Sequence, residues 1–225
     1  MMPMLRDGRF AGYLLTAGLA IGLASVAAGA ASAPFSRFLG ALPPVAVMLG
    51  VAAAGAVALL RLLPVGWAGQ SALPPARDGA LLGALALAFA VPTIWVDTVA
   101  PWPRDINAPL PEALAFYPAI ALVAETVFHL VPLALCSLLL PRRFWTAAIC
   151  VAMIEPAFQV LAEIGSDAPP WRHAYMALHL TAFNLVQIAA LRRYGIVTAY
   201  GFRVIYYAAW HVGWGAVRLD MLFGA

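Results

Sequence analysis

The 225-residue sequence contains no lysine, few charges of either sign and only two cysteines. Charged residues make up 10% of the chain and hydrophobic residues 64%, whereas a soluble domain is about one quarter charged and about half apolar. The 13 basic residues are all arginines. They are dispersed at the ends of apolar runs, so no nucleic-acid partner is predicted. Cys136 and Cys150 lie inside apolar segments without metal-site spacing, so neither a disulfide nor a thiolate site is predicted.

Long apolar runs recur from one end of the chain to the other, and the mean hydropathy is +0.89. Runs of about 18 residues or more are long enough to cross a bilayer as helices. The sequence therefore predicts an all-α polytopic membrane protein with about seven transmembrane helices. A single domain is predicted over residues 1–225, with spans one to three and a loop in 1–110 and spans four to seven in 111–219. The predicted spans are Phe10–Ala31, Phe38–Leu63, Ala80–Ala100, Pro111–Leu140, Phe144–Ile164, Ala174–Leu191 and Ile196–Leu219.

The arginines and the first span predict the topology. AAGAASAP could end in a signal-peptidase site near Ala33, but the preceding apolar run is longer than a usual signal core, which favours a retained helix. A cytoplasmic N-terminus places most arginines inside, as the positive-inside rule requires, and places the C-terminus outside. Abundant Ala, Arg and Gly without lysine is typical of a GC-rich bacterial genome, so we expect the bacterial inner membrane. The inside arginines are 6, 9, 61, 77, 142, 143, 192 and 193, and the outside ones are 37, 104, 172 and 218.

Ionisable and polar residues lie inside the last four predicted spans. AETVFHLVPL, residues 124–133, places Glu125 and His129 four residues apart, on one face of a helix. Groups of this kind at membrane depth are costly, and by default they mark a functional interior site. The later spans add five more: Glu155, His179, Asn184, Arg203 and His211.

Four of these groups have matching predicted depths. His179 and His211 each lie seven residues from an outer arginine, and Glu155 lies eight residues from Glu163. At a rise of about 1.5 Å per residue these separations are about 10–12 Å, and the depth of Glu125 is about 10–20 Å. We therefore expect all four to reach one layer in the outer half of the membrane.

A carboxylate beside two or three imidazoles in a low dielectric is suited to acid–base chemistry. The carboxylate accepts a proton from water, while a histidine stabilises an oxyanion or protonates a leaving amine. Three simpler interpretations stay open: the histidines hydrogen-bond between helices, Glu155 satisfies backbone groups freed by Pro156, and Arg203 snorkels to the inner interface or binds a headgroup. A metal ion held by Glu125, His179 and His211 is a further alternative.

Three short motifs carry a family resemblance. They are AETVFH at residues 124–129, YMALH at 175–179 and HVGWG at 211–215. Their order resembles the CPBP intramembrane protease family, which includes the CAAX prenyl endopeptidases and bacteriocin-immunity proteins. That family has Glu-Glu-x-x-x-Arg, then Phe-x-x-x-His, then His-x-x-x-Asn/Asp on successive core helices. The resemblance covers about half of the chain, from Pro111 to Leu219, and implies a CPBP-like helical core.

The motifs also depart from the family pattern. Ala124 stands where the family has the glutamate that activates water, His129 stands at its arginine, and Gly215 replaces Asn/Asp. The resemblance implies either that Glu125 activates the water with support from His129, or that the fold has lost proteolysis.

The sequence therefore predicts an intramembrane peptidase that hydrolyses a peptide bond in a membrane-associated protein or peptide, without a cofactor. The expected catalytic residues are Glu125, His179 and His211. The alternative is an inactive CPBP-like scaffold, an immunity protein or a partner-binding protein, and a metal- or haem-binding protein or a proton-coupled transporter also stays open. Residues expected to support the site are His129, Glu155, Tyr175, Asn184 and Arg203.

Overall fold

The computed structural model describes residues 8–30, 39, 41–69 and 73–224, and within these ranges the chain forms helices and no strands. The predicted all-α class is confirmed. The predicted processing site near Ala33 and the predicted start of span two at Phe38 lie outside the described residues. The seven long helices are α1 (Gly8–Ala30), α2 (Pro44–Leu62), α3 (Ala76–Val99), α4 (Ala113–Leu139), α5 (Phe144–Ala162), α6 (Pro170–Tyr194) and α7 (residues 196–223).

Among the described residues, α1 to α6 are each long and apolar enough to cross a membrane. The chain is therefore a polytopic membrane protein, as predicted. The seventh predicted span is also helical, but it consists of Ile196–Tyr207, a π-helical segment Ala208–Trp214, and Gly215–Phe223.

Prolines explain two irregular places in α4 and α5. Pro132 follows a π-helical segment, Glu125–Leu130, whose wider turn leaves room for the proline ring against the preceding turn. In α5 the helix is interrupted at Met153, three residues before Pro156, which has no N–H to donate to the Ala152 carbonyl. Both irregularities lie beside residues of the predicted site.

Helix α7 occupies the centre of the bundle, in contact with α1, α3, α4 and α6. Helix α1 packs on α2 and α4, and a hydrogen bond from the Tyr13 hydroxyl to the Ala52 carbonyl (2.7 Å) joins α1 to α2. Gly55 in α2 is required there, since a Cβ atom at this position would overlap the Tyr13 ring.

Opposite ends of the bundle carry different polar contacts. At one end, called the Arg193 end, Arg193 pairs with Asp78 at 3.4 Å and the Arg61 Nε donates to Ser137 at 3.2 Å. The other end is called the Arg218 end, and it contains a buried ion pair between α3 and α7. Arg218 Nε lies 2.6 Å from Asp97 Oδ2, and Arg218 Nη2 lies 3.0 Å from Asp97 Oδ1.

The sequence predicted no ion pair here: Arg218 was counted among the outside arginines, and Asp97 fell near the end of the third predicted span. Each is 0% exposed. Asp97 also accepts hydrogen bonds from the Trp214 indole (2.6 Å) and the Trp102 amide (2.9 Å), while Arg218 donates to the Asn107 side chain (3.0 Å). A fully hydrogen-bonded pair of opposite charges can be buried, whereas an isolated charge cannot.

Arg172 is corrected in the same way. It was predicted to lie outside α6, but the helix begins at Pro170 and the Arg172 side chain is buried. Its guanidinium donates to the Pro101 carbonyl (2.6 Å) and to Glu163 (3.0 Å), and it lies over the Trp102 ring. These contacts tie α6 to the end of α5 and to the loop after α3.

We predict that Asp97→Ala lowers the free energy of unfolding by about 3–5 kcal/mol, because Arg218 would then be buried without a counter-charge. Thermal and chemical unfolding in detergent micelles would measure the loss. Asp220→Ala is the matched control, since Asp220 is exposed and lies on α7, the helix that carries Arg218. We expect the free energy of unfolding of this variant to change by about 0.5 kcal/mol or less. Equal effects of the two substitutions would contradict a stabilising role for the pair.

Candidate functional site

A cavity of about 880 Å³ lies between α3, α4, α5, α6 and α7. This volume is within the usual range for small-molecule sites, about 300–1,000 Å³. Exposed residues line it at two places: Pro103 and Ser166 at the Arg218 end, and Val127 and Phe158 between α4 and α5. The cavity therefore reaches the surface at the Arg218 end and also on the lipid-facing side of the bundle.

Five of the eight residues predicted for the site line this cavity. They are Glu155, Tyr175, His179, Arg203 and His211. The residues predicted to share one layer of the membrane thus include two histidines and one carboxylate that line the same cavity. Glu125, His129 and Asn184 are buried but are not part of the cavity wall.

Glu125 lies behind the cavity, where the protein occupies both of its carboxylate oxygens. Oε1 accepts from Arg203 Nε at 2.9 Å and from the Gln187 amide, and Oε2 lies 3.0 Å from His129 Nδ1. The side chain is 0% exposed. Glu125 is therefore placed as a structural member of a buried polar cluster and has no contact with water in the cavity.

Arg203 is the centre of that cluster, and it does not snorkel to an interface. Its two terminal nitrogens each lie 2.8 Å from an oxygen of Glu155, which is a bidentate ion pair. The remaining donors go to Tyr207 (3.1 Å), Gln187 (2.9 Å) and Asn184 (3.3 Å), in addition to Glu125. All five N–H groups of the guanidinium thus have acceptors inside the protein.

Glu155 contacts the cavity, but Arg203 determines its orientation. The sequence had offered Glu155 as a partner for backbone groups freed by Pro156. The structure assigns that role to Asn184, whose side-chain amide donates to the Ala152 carbonyl at 3.2 Å. Glu155 is 2% exposed, and the Arg203 guanidinium covers both of its oxygens.

His129 completes the cluster on the far side of Glu125. Its Nδ1 atom bonds Glu125, while Nε2 is buried and has no hydrogen-bond partner within the described residues. His129 does not meet the two cavity histidines.

His179 belongs to a hydroxyl network centred on Thr93 of α3. Thr93 Oγ1 lies 3.0 Å from the Tyr175 hydroxyl, 3.1 Å from His179 Nε2 and 3.2 Å from the Tyr206 hydroxyl. Thr93 Oγ1 also lies 3.2 Å from the Phe89 carbonyl, to which it can donate its single proton. The Thr93 hydroxyl is thus shared among four neighbours, and His179 is one of them.

His211 is held by Asn107, from the loop before α4. The Asn107 amide donates to the His211 carbonyl at 3.1 Å and lies 3.5 Å from its Nδ1 atom. The His211 ring stacks on Tyr117 with a centroid separation of 4.4 Å. An amide donor beside Nδ1 favours the neutral tautomer with the proton on Nε2, which has no partner within the described part of the chain.

Asn107 also explains the glycine at position 215. A Cβ atom on Gly215 would lie 2.7 Å from the Asn107 side-chain nitrogen, so the glycine leaves space for that amide. The family resemblance leads one to expect an asparagine or aspartate at 215, four residues after the histidine. Here an amide from another segment of the chain occupies the space beside His211.

Position 124 is the other departure from the motifs. Ala124 lines the cavity, while Glu125, the next residue, faces the Arg203 cluster. The position at which the family has its water-activating glutamate therefore faces the cavity, but an alanine methyl group occupies it.

Sequence reasoning missed further polar contributors to the site, among them Thr93, Asn107, Gln187, Tyr206 and Tyr207. Thr93 and Gln187 are polar residues inside apolar runs, and this signal was available in the sequence. Asn107 lies in a loop and Tyr207 in an aromatic stretch. In the sequence alone, the first resembles an ordinary surface residue and the second an ordinary packing residue.

The described residues contain no group of three or more His, Cys, Asp or Glu side chains that could hold a metal ion. The alternative of a metal bound by Glu125, His179 and His211 lacks a shared site, because Glu125 lies outside the cavity. The chemistry at the cavity wall is instead that of hydrogen bonding by imidazole, phenol and hydroxyl groups.

Comparisons of the chain with models of protein families, with curated proteins and with solved structures gave no match.

We predict that Arg203→Lys lowers the free energy of unfolding by about 2–4 kcal/mol, since an ammonium group cannot replace the bidentate pair and the five donors. Unfolding by a denaturing detergent, followed by circular dichroism, would measure this loss. Arg193→Lys is the control, because the Arg193 side chain is 72% exposed and makes one long ion pair. If Arg203→Lys were as stable as the control, the cluster would not stabilise the bundle.

Proposed function

We propose that this protein binds a membrane amphiphile, which enters the cavity between α4 and α5, without hydrolysing it. The single observation that carries the proposal is the composition of the cavity wall, which is largely apolar and has hydrogen-bonding groups at its inner end. Val127 and Phe158 are 47% and 60% exposed on the lipid-facing side. An alkyl chain entering between them would reach His179 and His211 without crossing a polar surface.

The positions of the carboxylates support binding without turnover. Hydrolysis through activated water needs a base that reaches that water. Glu125 is sealed behind the wall, both oxygens of Glu155 bind Arg203, and position 124 carries alanine. The proposal corresponds to the inactive, partner-binding alternative that the sequence left open.

The membrane orientation is part of the proposal. Exposed arginines concentrate at the Arg193 end of the helices, whereas two of the arginines at the Arg218 end, Arg172 and Arg218, are buried in ion pairs. We therefore place the Arg193 end and the N-terminus in the cytoplasm of a bacterial cell. The cavity would then open to the bilayer and to the outer face of the inner membrane.

Saturable quenching of tryptophan fluorescence by a brominated alkyl chain would test binding. The probe would be supplied both as the acid and as the alcohol, to the purified protein in lipid nanodiscs. Trp95, Trp145 and Trp171, which are exposed, would be replaced by phenylalanine. Trp102 and Trp210 in the cavity wall then report, and Trp67 and Trp214, which do not line the wall, contribute a constant background.

We predict that Ala124→Phe removes the saturable part of the quenching, because the phenyl ring fills the cavity beside Val127. Ala88→Phe is the matched control, since Ala88 is exposed on α3 and is not part of the wall. Quenching that never saturates in the parent protein, or that survives Ala124→Phe unchanged, would contradict the proposed function.

Peptide hydrolysis in the bilayer is a second candidate, favoured by one observation. Glu155, His179 and His211 line the same cavity, and Asn107 supplies an amide beside His211. In this version Glu155 takes the role that the sequence gave to Glu125, and the two imidazoles position the water and stabilise the oxyanion.

If the second candidate is correct, His179→Gln should reduce cleavage of a quenched-fluorescence pool of apolar peptides in liposomes by about 100-fold or more. His173→Gln should leave cleavage unchanged, because His173 pairs with Glu163 and is not part of the wall. A parent protein that cleaves none of the pool, together with a gain of cleavage in Ala124→Glu, would instead support a binding site that lacks its base.

A further inference from the structure

The two arginines of the cavity wall are already paired with carboxylates of the protein. Arg203 binds Glu155 and Glu125, and Arg172 binds Glu163 and two backbone carbonyl groups. The Nε atom of Arg172 has no partner, but it is buried beside the Trp102 ring and does not reach the cavity. Within the described residues, neither arginine of the wall is left to balance the charge of a bound anion.

Two uncharged groups of the wall are left with a proton to donate. The tautomer favoured for His211 places an N–H group on Nε2, which has no partner among the described residues. The Tyr207 hydroxyl accepts a hydrogen bond from Arg203 and is left with its own proton to donate. His211 and Tyr207 are partly exposed, and both line the cavity.

Donors on a largely apolar wall favour a ligand with acceptor atoms, because a polar group that the ligand covers is costly unless it is paired. A phosphate or carboxylate headgroup would bring a charge that finds no counter-ion here. Carbonyl oxygens accept hydrogen bonds without carrying a charge.

We propose that the ligand is an uncharged amphiphile whose polar end presents carbonyl oxygens to His211 and Tyr207. Two kinds of membrane molecule share this chemistry: a diacylglycerol, through its ester groups, and a quinone, through its ring carbonyls. The ligand's apolar chain leaves the cavity between Val127 and Phe158. This inference rests on the proposed function and adds the chemical class of the ligand.

Competition against the brominated alkyl probe tests the ligand class. Dioctanoylglycerol and a short-tailed ubiquinone supply carbonyl groups without charge. Dioctanoylphosphatidate has the same tails with an anionic head, and the dioctyl ether of glycerol has the same shape without carbonyl groups. We expect the phosphatidate and the ether each to compete at least about threefold to tenfold more weakly than dioctanoylglycerol. Whichever of the two carbonyl compounds competes more strongly identifies the kind of ligand, a diacylglycerol or a quinone.

His211→Phe should weaken binding of the competing carbonyl compound by roughly threefold to tenfold, the effect of one hydrogen bond. Tyr207→Phe, which removes one hydroxyl and keeps the ring, provides the same test if a histidine variant does not fold. His173→Phe should have no effect.

The ligand class and the proposed function can be contradicted by two separate results. If the phosphatidate or the ether competes as well as dioctanoylglycerol, or if neither carbonyl compound competes, the inference about the polar end is wrong while saturable quenching still supports amphiphile binding. If the brominated probe itself shows no saturable quenching, the proposed function is wrong and the inference falls with it.

Discussion

The arrangement of the last four helices depends on the contacts of one buried side chain, Arg203. Its guanidinium on α7 reaches Glu125 on α4, Glu155 on α5, and Asn184 and Gln187 on α6. Lipid tails are as apolar as leucine, so burial of apolar surface does not drive helices together in a bilayer as it does in water. A charge at this depth costs several kcal/mol unless it is paired and hydrogen-bonded. Arg203 therefore constrains four helices to one relative position.

Irregular helix geometry supports the same site. The π-helical segment before Pro132 carries Glu125 and His129, and a second π-helical segment carries His211. A π-helical turn rotates the residues that follow it relative to a regular α-helix, and such turns are common at functional sites. The interruption before Pro156 frees a carbonyl group on α5, and the Asn184 amide on α6 satisfies it. In this bundle the distortions of the helices and the polar contacts between them form one connected structure.

Depth could be predicted from the sequence, whereas the direction in which a side chain faces could not. The rise of a helix places His179, His211 and Glu155 in one layer, and all three line the cavity. Successive helical residues differ by about 100° in direction, so Ala124 and Glu125 share a depth but face opposite environments. The π-helical segment changes the direction of these side chains further, and no residue propensity in this sequence predicted that segment. The pairing of distant charges could not be predicted either, because Asp97 on α3 and Arg218 on α7 each lie near the end of a predicted span, where a charge needs no partner.

The two departures from the motifs have different consequences for the site. The side chain that is missing at Gly215 is supplied by Asn107, whose amide lies in the space that a larger residue at 215 would fill. Among the described residues, neither nearby glutamate replaces the carboxylate that is missing at Ala124, because both bind Arg203. Releasing Glu155 to act as a base would leave Arg203 paired with Glu125 and would remove the bidentate contact that joins α5 to α7. The hydrogen-bonding groups of the wall are thus kept, while its carboxylate is committed to the contact that positions the helices.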